Sequence, residues 1–523
     1  MNRSWLAGCV VTAATTALSP AAPKQVNFTV DTARDVHPIS PYVYGTNAHD
    51  KAASTRPCNR HGGNRWTAYN WETNASNAGA DWHHQSDGHL SESDVPGAAV
   101  RPAIEAAAKS GAALIVTVPM AGYVSADKKA DGDVNRTPDY LKTRFHVSLP
   151  KKDAPLSLEP DLSDGRVYQD EFVNWVEKSG RADPRQVFFY SLDNEPDLWA
   201  HTHARIHPKP ATYAEIVERT TAWASAIKDV KPDALVFGAV NYGWNGYRTF
   251  QNAPDAGGRD FHQFFLAEMK KAEEKAGRRL LDVLDVHWYP EARGGPGDGV
   301  RVSEDDASPD VCAARVQAPR SLWDPAYVET SWITRASTHG KPIALIPRLK
   351  KDIESHYPGT KIAITEYNYG AGDHVSGGIA QADVLGIFGR EGLFAANWWH
   401  LGQGQKYVNA AFDLYLNFDG KGGRFGDTSV YAATEDAAAT SVYASVDGAD
   451  ASRVTHVLIN RSNEPVEGTV EIAHAQPLKS ADVYRFTGES PTIAHVGSMQ
   501  LPAPNLLRYT LPSMSATAVR LTK

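Results

Sequence analysis

From about residue 40 to residue 400, short apolar runs alternate with longer stretches in which apolar residues recur at helical spacing. Strands that alternate with helices pair in parallel through right-handed crossovers, and eight such units close into a barrel. We therefore predict an α/β fold, a (β/α)₈ TIM-like barrel over residues 35–425, with its functional face at the carboxyl ends of the strands. The eight predicted strands end near Asn47, Asn64, Met120, Glu195, Asn241, Trp288, Glu366 and Trp399.

The helical period disappears after about residue 430, and short runs of alternating apolar and polar residues replace it. Such runs, broken by Asn, Gly, Pro and Ser, are typical of an antiparallel β-sandwich. We predict a small sandwich domain made of residues 430–523 together with an added strand from residues 24–34. Because this part of the chain contains no tryptophan, we expect it to support the barrel rather than to bind sugar.

Composition narrows the class of partner. The 523 residues carry a formal net charge of −8 at pH 7, so an anionic partner such as nucleic acid or a charged membrane surface is disfavoured. Beyond the N-terminus no apolar run reaches the roughly 18 residues that a spanning helix requires. We expect an uncharged ligand, no membrane span and a monomer.

Residues 1–22 are typical of a secretory signal peptide. Arg3 precedes the apolar run Trp5 to Leu18, and the small residues Ser19 to Ala22 offer a cleavage site. Leu6 to Cys9 also matches a lipoprotein box, but only a very short apolar segment precedes it. We expect a secreted or periplasmic protein, with a lipid anchor as the less favoured alternative.

Three cysteines without a CxxC pair exclude a disulfide framework and a zinc ribbon. In an exported protein Cys58 and Cys312 could pair, or both could remain as buried free thiols. The sequence leaves both possibilities open.

Two glutamates carry the chemical hypothesis. Glu195 follows an apolar strand that Pro196 ends, and Glu366 closes a second apolar strand far downstream. A glutamate at a strand end is usually a solvated residue, but strands four and seven of an eight-stranded barrel face each other across the mouth. Retaining glycosidases hold two carboxyl groups about 5–5.5 Å apart. We predict that Glu195 is the acid/base, with its pKa raised by ionised Glu366, and that Glu366 is the nucleophile.

Further residues are nominated to bind the sugar or to support the glutamates. Asn194 could donate to the sugar 2-hydroxyl, and Arg60 and Tyr289 could keep Glu366 ionised. Ten of the thirteen tryptophans follow predicted strands or lie in the loops above them, where exposed rings could stack on sugars; Trp199 and Trp398 are the strongest stacking candidates. The nominated sugar contacts are Asn194, Arg60, Asn64, Trp71, Trp199, Trp288, Tyr289 and Trp398.

Five stretches taken in order resemble glycoside hydrolase family 44: residues 59–64, 69–77, 191–196, 285–290 and 364–368. The resemblance covers about residues 35–425 and extends to the flanking sandwich. It implies a secreted bacterial endo-β-1,4-glucanase or xyloglucanase that acts on β-glucan polysaccharides, with Glu195 at the position of the acid/base and Glu366 at that of the nucleophile. The chemistry requires no cofactor. Some members of the family hold a structural calcium, for which Glu72, Asp161 and Asp164 could supply oxygen ligands.

The sequence leaves several alternative functions open. The catalytic pair does not encode the sugar, so a retaining xylanase or an exo-acting glycosidase of the same clan remains possible. The loops at 123–163 and 290–340 would decide between an open groove and a blocked one. A carbohydrate-binding barrel without turnover is the alternative outside enzymology, and the presence of both glutamates with Asn194 argues against it. A Ser-His-Asp hydrolase is disfavoured because the sequence contains no GxSxG elbow.

Overall fold

The computed structural model describes residues 23–47, 55–401 and 404–523. Its larger part is a closed barrel of eight parallel strands, as the alternating pattern predicts. The predicted signal peptide at 1–22, with Cys9, lies outside the described residues. The barrel strands are β1 Gly45–Asn47, β2 Cys58–His61, β3 Ala113–Val118, β4 Phe188–Leu192, β5 Val236–Asn241, β6 Val283–Trp288, β7 Lys361–Tyr367 and β8 Ala395–Trp398.

The principal helices are Arg101–Ser110, Gln169–Trp175, Tyr213–Val230, Phe261–Ala276, Pro309–Gln317, Leu345–His356, Val375–Arg390 and Lys406–Leu416. Side-chain caps begin three of them, since Thr212 accepts from the N–H of Glu215, Asp260 from that of Gln263 and His374 from that of Ser376. One of these helices begins at Val375. It includes Gly378, where a Cβ would lie 2.8 Å from the Cβ of Tyr407, so packing explains a residue that helix propensity disfavours.

Inside the barrel, the residues near the amino ends of the strands are apolar. They form a cluster of their own: Cys58, Ala113, Ile115, Phe189, Phe237, Val283, Ala363 and Ala395. Two or four residues further along each strand, at positions that face the same way, polar side chains replace them, among them Arg60, Thr117, Asn241, Asp285 and Asn397. Apolar side chains therefore fill the barrel at the amino ends of its strands, and polar side chains that could take part in chemistry line it at the carboxyl ends.

The region predicted as one long polar loop, 123–163, contains more structure than expected. Three short strands form a small sheet: Tyr123–Ser125, Phe145–Leu149 and Arg166–Tyr168. Between them the buried Arg144 binds the carboxylates of Asp127 and Asp131. These acids lie 17 and 13 residues before the arginine that they pair with, so the chain folds back on itself within this region.

The second domain is built from strands that pair into one continuous sheet, folded so that its two halves face each other across an apolar core. Thr428–Thr434 joins the halves: its first residues pair with 444–446 and its last with 28–31. The N-terminal strand belongs to this domain, as predicted, and its pairing with Val466–Ala473 is parallel. The strands are Lys24–Asp31, His37–Pro38, Thr428–Thr434, Thr440–Asp447, Asp450–Asn460, Val466–Ala473, Ser480–Thr487, Ser490–Gln500, Leu506–Leu511 and Ser515–Thr522.

Two further points follow from the described residues. None of their helices has the length and apolar content that crossing a bilayer requires. Cys58 and Cys312 are both free thiols, but only Cys58 is buried, whereas Cys312 is half-buried. Burial of Cys58 at the base of β2 raises the pKa of its thiol to about 12.

Candidate active site

The two glutamates reach the barrel mouth because the backbone departs from regular strand geometry beside each of them. The pairing of β7 with β8 and with β6 shifts register next to Glu366, and such irregularities redirect side chains. After β4, Asp193 and Glu195 adopt left-handed backbone conformations, with φ of 68° and 45°. The carboxylate of Asp193 holds this turn, since it accepts from the N–H groups of Met120, Ala121 and Asn194.

Glu366 is held by two donors at once. Arg60 donates from Nη1 to Oε1 at 2.6 Å, and the Tyr289 hydroxyl donates to Oε2 at 2.8 Å. These are the two side chains that the sequence nominates for this task. Burial, followed by the nearby glutamates, raises the pKa of Tyr289, so its hydroxyl keeps the proton that it donates. Each oxygen of the Glu366 carboxylate therefore accepts one hydrogen bond, one of them charge-assisted.

Glu195 lies in a different environment. Burial raises the pKa of its carboxyl to about 8; Arg60 opposes this rise and the charge of Asp81 adds to it. The predicted direction agrees with the structure, but the predicted cause was wrong, because burial and not ionised Glu366 dominates. Arg60, bound to Glu366, offsets that negative charge. At neutral pH Glu195 is mainly protonated and can act as an acid.

His287 lies between the two carboxyl groups, and the sequence reasoning missed it. Its Nδ1 is 2.8 Å from Oε1 of Glu195 and 3.5 Å from Oε2 of Glu366. Burial lowers the pKa of His287 to about 3, so the ring is neutral, and the carboxyl oxygens around Nδ1 favour the tautomer with its proton there. Among the described residues, the groups of Glu195, His287 and Glu366 converge, with one ligand atom from each lying within 4.8 Å of the others.

Strand alternation could have identified His287. Asp285, His287 and Tyr289 lie at every second position at the end of β6, so their side chains share a face. Trp288 lies on the opposite face and packs in the core between barrel and helices. Its nomination as a sugar contact was therefore wrong.

Two other nominated tryptophans are also buried. Trp71 stacks on Phe172 with ring centroids 6.0 Å apart, and it is 1% exposed. Trp199 is fully buried beside His207, with ring centroids 5.0 Å apart. Neither presents a face to a ligand, so the prediction that they stack on sugar was wrong. Trp398, at the end of β8, is also only 2% exposed, but it lines a cavity that Tyr289 also lines, and its role as a sugar contact stays a prediction.

The remaining nominated residues form a chain of hydrogen bonds. Arg60 donates from Nη2 to Oδ1 of Asn194 at 2.8 Å, so the Asn194 amide group directs its N–H bonds elsewhere. Its Nδ2 lies 3.5 Å from Oδ1 of Asn64, and Asn64 donates to Asp81 at 2.8 Å. Asn194 thus retains a donor for a sugar hydroxyl, and Asn64 links it to a charge that the sequence reasoning did not consider.

The nominated calcium ligands lie near one another without forming a tight group of three. Burial of Glu72, then the charges of Asp164, Glu171 and Asp161, raise the pKa of Glu72 to about 8. Glu171 is 1% exposed; its Oε1 accepts from Lys152, and its Oε2 has no partner among the described residues. Hard carboxylate oxygens with an unpartnered buried member fit a calcium ion.

Comparison with known proteins agrees with this geometry. Residues 75–292 match the family model described as glycoside hydrolase family 44. The chain is 43% identical to endoglucanase A of Paenibacillus lautus over 516 residues, which cover 95% of this chain and 72% of that protein. It is also 43% identical to the β-mannanase/endoglucanase A of Caldicellulosiruptor saccharolyticus, of which it spans only 39%.

A solved structure is similar over almost the full length. It is a family 44 xyloglucanase of Paenibacillus polymyxa with xyloglucan, 42% identical, with a TM-score of 0.90 and coverage of 96% of this chain and 100% of that one. Agreement at this level extends through both the barrel and the second domain.

Proposed function

This chain belongs to glycoside hydrolase family 44, and from that premise we propose that it cleaves internal β-1,4-glucosidic bonds of soluble glucans, xyloglucan included. Similar proteins are named endoglucanase and xyloglucanase, which supports this substrate class. The main structural support for this reaction is the pair of glutamates, Glu195 and Glu366, at the barrel mouth.

We propose that the reaction is a double displacement. Glu366, kept ionised by Arg60 and Tyr289, attacks the anomeric carbon while Glu195 protonates the departing glycosidic oxygen. An atom of each carboxyl lies within 4.8 Å of the other, which favours this mechanism over inversion, since inverting enzymes separate the carboxyls by about 6.5–9.5 Å to admit a water.

The second step uses the same residues in reverse. Glu195, now ionised, removes a proton from water, and the resulting attack releases the sugar from Glu366. His287 donates from Nδ1 to Oε1 of Glu195, so the mobile proton resides on Oε2. Asn194, oriented by Arg60, donates to the sugar 2-hydroxyl, a contact that strengthens in the transition state.

Hydrolysis of polymers by matched variants tests this proposal. We expect reducing-sugar release from carboxymethylcellulose and xyloglucan, with a loss of about 10³-fold or more in Glu366→Gln and Glu195→Gln, because each variant lacks an essential group. Xylan and mannan serve as comparison polymers. Preference for either, or turnover at the wild-type rate in either variant, would contradict the proposal.

The mode of attack is testable in the same assay. An endo-acting enzyme lowers the viscosity of the polymer early, while few reducing ends have formed. Release of one short product from the outset with little change in viscosity would indicate the exo-acting alternative.

We also infer export from the signal-like residues 1–22. In a bacterial host, the mature protein in the medium or periplasm should begin near residues 19–23, as Edman or mass-spectrometric analysis of its N-terminus would show. An intact Met1 in the cytoplasmic fraction alone would contradict this inference.

We further propose that Glu72, with Asp161, Asp164 and the buried Glu171, holds a structural calcium. The ion would compensate the carboxylates that repel one another at Glu72. Calcium should raise the Tm of protein treated with EDTA, and the increase should vanish in Glu72→Gln. An unchanged Tm with and without calcium would contradict the proposal.

A further inference from the structure

A cavity of about 970 Å³ lies where the barrel meets the second domain. The helix Pro309–Gln317 and the start of the helix Val375–Arg390 form its barrel side, and the hairpin turn at Gly488 contributes to the opposite side. Among the described residues, none that lines it also lines the cavity beside Tyr289. Its volume falls in the range of about 300–1,000 Å³ typical of small-ligand sites, so it is a separate space that a small molecule could enter.

Cys312 lines this cavity with a free thiol. It lies in the helix Pro309–Gln317 and is half-buried, so a small molecule inside the cavity can reach its sulfur. The other cysteine of the described chain, Cys58, is buried at the base of the barrel, and burial raises the pKa of its thiol to about 12. Of these two thiols, Cys312 is therefore the accessible one.

His374 is positioned to take the proton of the Cys312 thiol. It lines the same cavity, and its Nδ1 lies 3.6 Å from the sulfur. The same nitrogen accepts from the backbone N–H of Ser376 at 3.2 Å, so it carries no proton of its own. Burial, followed by the charge of Arg315, lowers the pKa of His374, so the ring is neutral at neutral pH. A basic imidazole nitrogen beside a thiol is the arrangement that activates cysteine as a nucleophile.

Arg315 supplies a positive charge at the same sulfur. Its Nη1 donates to Sγ of Cys312 at 3.8 Å and to the hydroxyl of Ser376 at 2.9 Å. Its other N–H groups donate to the carbonyls of Val302, Glu304, Asp306 and Tyr369. These bonds fix the guanidinium beside the thiol, where it stabilises the negative charge that develops on sulfur during an attack.

We propose that Cys312 is a site of covalent modification by low-molecular-weight disulfides, with His374 as its base. The sulfur of Cys312 attacks one sulfur of the disulfide while its proton passes to His374; one S–S bond forms and the S–S bond of the reagent breaks. The departing thiolate then takes the proton from His374. The products are a mixed disulfide on the protein and one small thiol, so the reaction consumes no further oxidant. It is independent of the glycosidase activity.

Thiol labelling of the full chain with 5,5′-dithiobis(2-nitrobenzoic acid) tests the proposal. The coloured thiol that the reagent releases gives the rate, and mass-spectrometric peptide mapping gives the site. We expect Cys312 to react about 10-fold or more faster in the native protein than in the urea-unfolded protein at the same pH, because His374 and Arg315 act only in the fold. The buried Cys58 should react only after unfolding, and Cys312→Ser should lack the fast reaction.

His374→Asn is the matched variant, because it removes the base and keeps a side-chain oxygen that can cap the following helix. The rate at Cys312 should fall about 10-fold or more in this variant, whereas His89→Asn, which replaces an exposed histidine of another loop, should react as the wild type does. An unmodified Cys312, a native rate no higher than the unfolded one, or a wild-type rate in His374→Asn would each overturn the proposal. If His374→Asn does not fold, the comparison of native with unfolded wild type still decides.

Discussion

At the scale of single residues, the account rests on two carboxyl groups in different environments. Glu366 has two strong donors, whereas Glu195 is buried and its pKa is raised to about 8. As the acid, Glu195 must be protonated, so kcat/KM should fall as pH rises through about 8. Different environments for chemically identical groups are what assign the two roles.

Asp81 provides a test of this assignment. Its negative charge disfavours ionisation of Glu195 and so contributes to the raised pKa. In Asp81→Asn that contribution is lost, the pKa of Glu195 falls, and the alkaline limb of the kcat/KM profile should move to lower pH by a fraction of a unit. The pH profile of Asp81→Asn is compared with that of Asp94→Asn. The second variant is the control, because it removes an exposed acid that is paired with Lys128. A limb that moves to higher pH, or that moves equally in both variants, would contradict the role of Glu195.

At the scale of elements, the turn after β4 positions Glu195 and Asn194. Asp193 is fully buried and accepts from the Thr67 hydroxyl at 2.6 Å as well as from three backbone N–H groups. Removing this carboxylate leaves several buried donors unpaired, each at a cost of about 1–3 kcal/mol.

We therefore expect Asp193→Ala to lower the free energy of unfolding by about 3 kcal/mol or more and to lower kcat at temperatures where it remains folded. Asp193→Asn is the matched variant: it keeps an acceptor oxygen and a residue type that tolerates positive φ, so its losses should be smaller. Denaturant unfolding and polymer hydrolysis measure both effects. Equal behaviour of the two variants would show that the turn does not depend on this carboxylate.

The elements also show how far sequence reasoning extends. Strand and helix periodicity predicted the eight strands, most helices and the strand ends that carry Glu195 and Glu366. Counting residues near strand ends did not reveal which side chains face inward, so Trp288 was nominated in place of His287. Trp71 and Trp199 were misassigned because an aromatic residue in a loop above a barrel can pack inward as well as outward. The contribution of Asp81 depends on the fold of a loop after β2, which has no periodic signal.

At the scale of the whole molecule, a buried ion pair joins the barrel to the second domain. Asp383, in the helix Val375–Arg390, lies 3.3 Å from the guanidinium of Arg461, and both side chains are at most 2% exposed. Asp383 also accepts from the hydroxyls of Ser441 and Tyr443. The contact between the domains thus includes a buried, charged hydrogen-bond network, consistent with a supporting role for the sandwich.

Asp383→Ala should destabilise the protein by about 3–5 kcal/mol, because it leaves Arg461 buried without its partner. Thermal unfolding of both domains should shift together if they support each other. Glu268→Ala, which breaks an exposed pair with Lys271, should cost well under 1 kcal/mol. A barrel that keeps its Tm while only the sandwich unfolds earlier would contradict the supporting role.

The most direct test of the central claim is mass-spectrometric peptide mapping after reaction with a 2-deoxy-2-fluoro-β-cellotriosyl fluoride. The fluorine at C2 slows breakdown of the glycosyl-enzyme, so a covalent intermediate accumulates. The account predicts that one fluorinated cellotriosyl group is attached to the peptide that contains Glu366. In Glu366→Gln no labelled peptide should be found. Attachment to another residue, or turnover that never yields a covalent adduct and releases the inverted anomer, would contradict it.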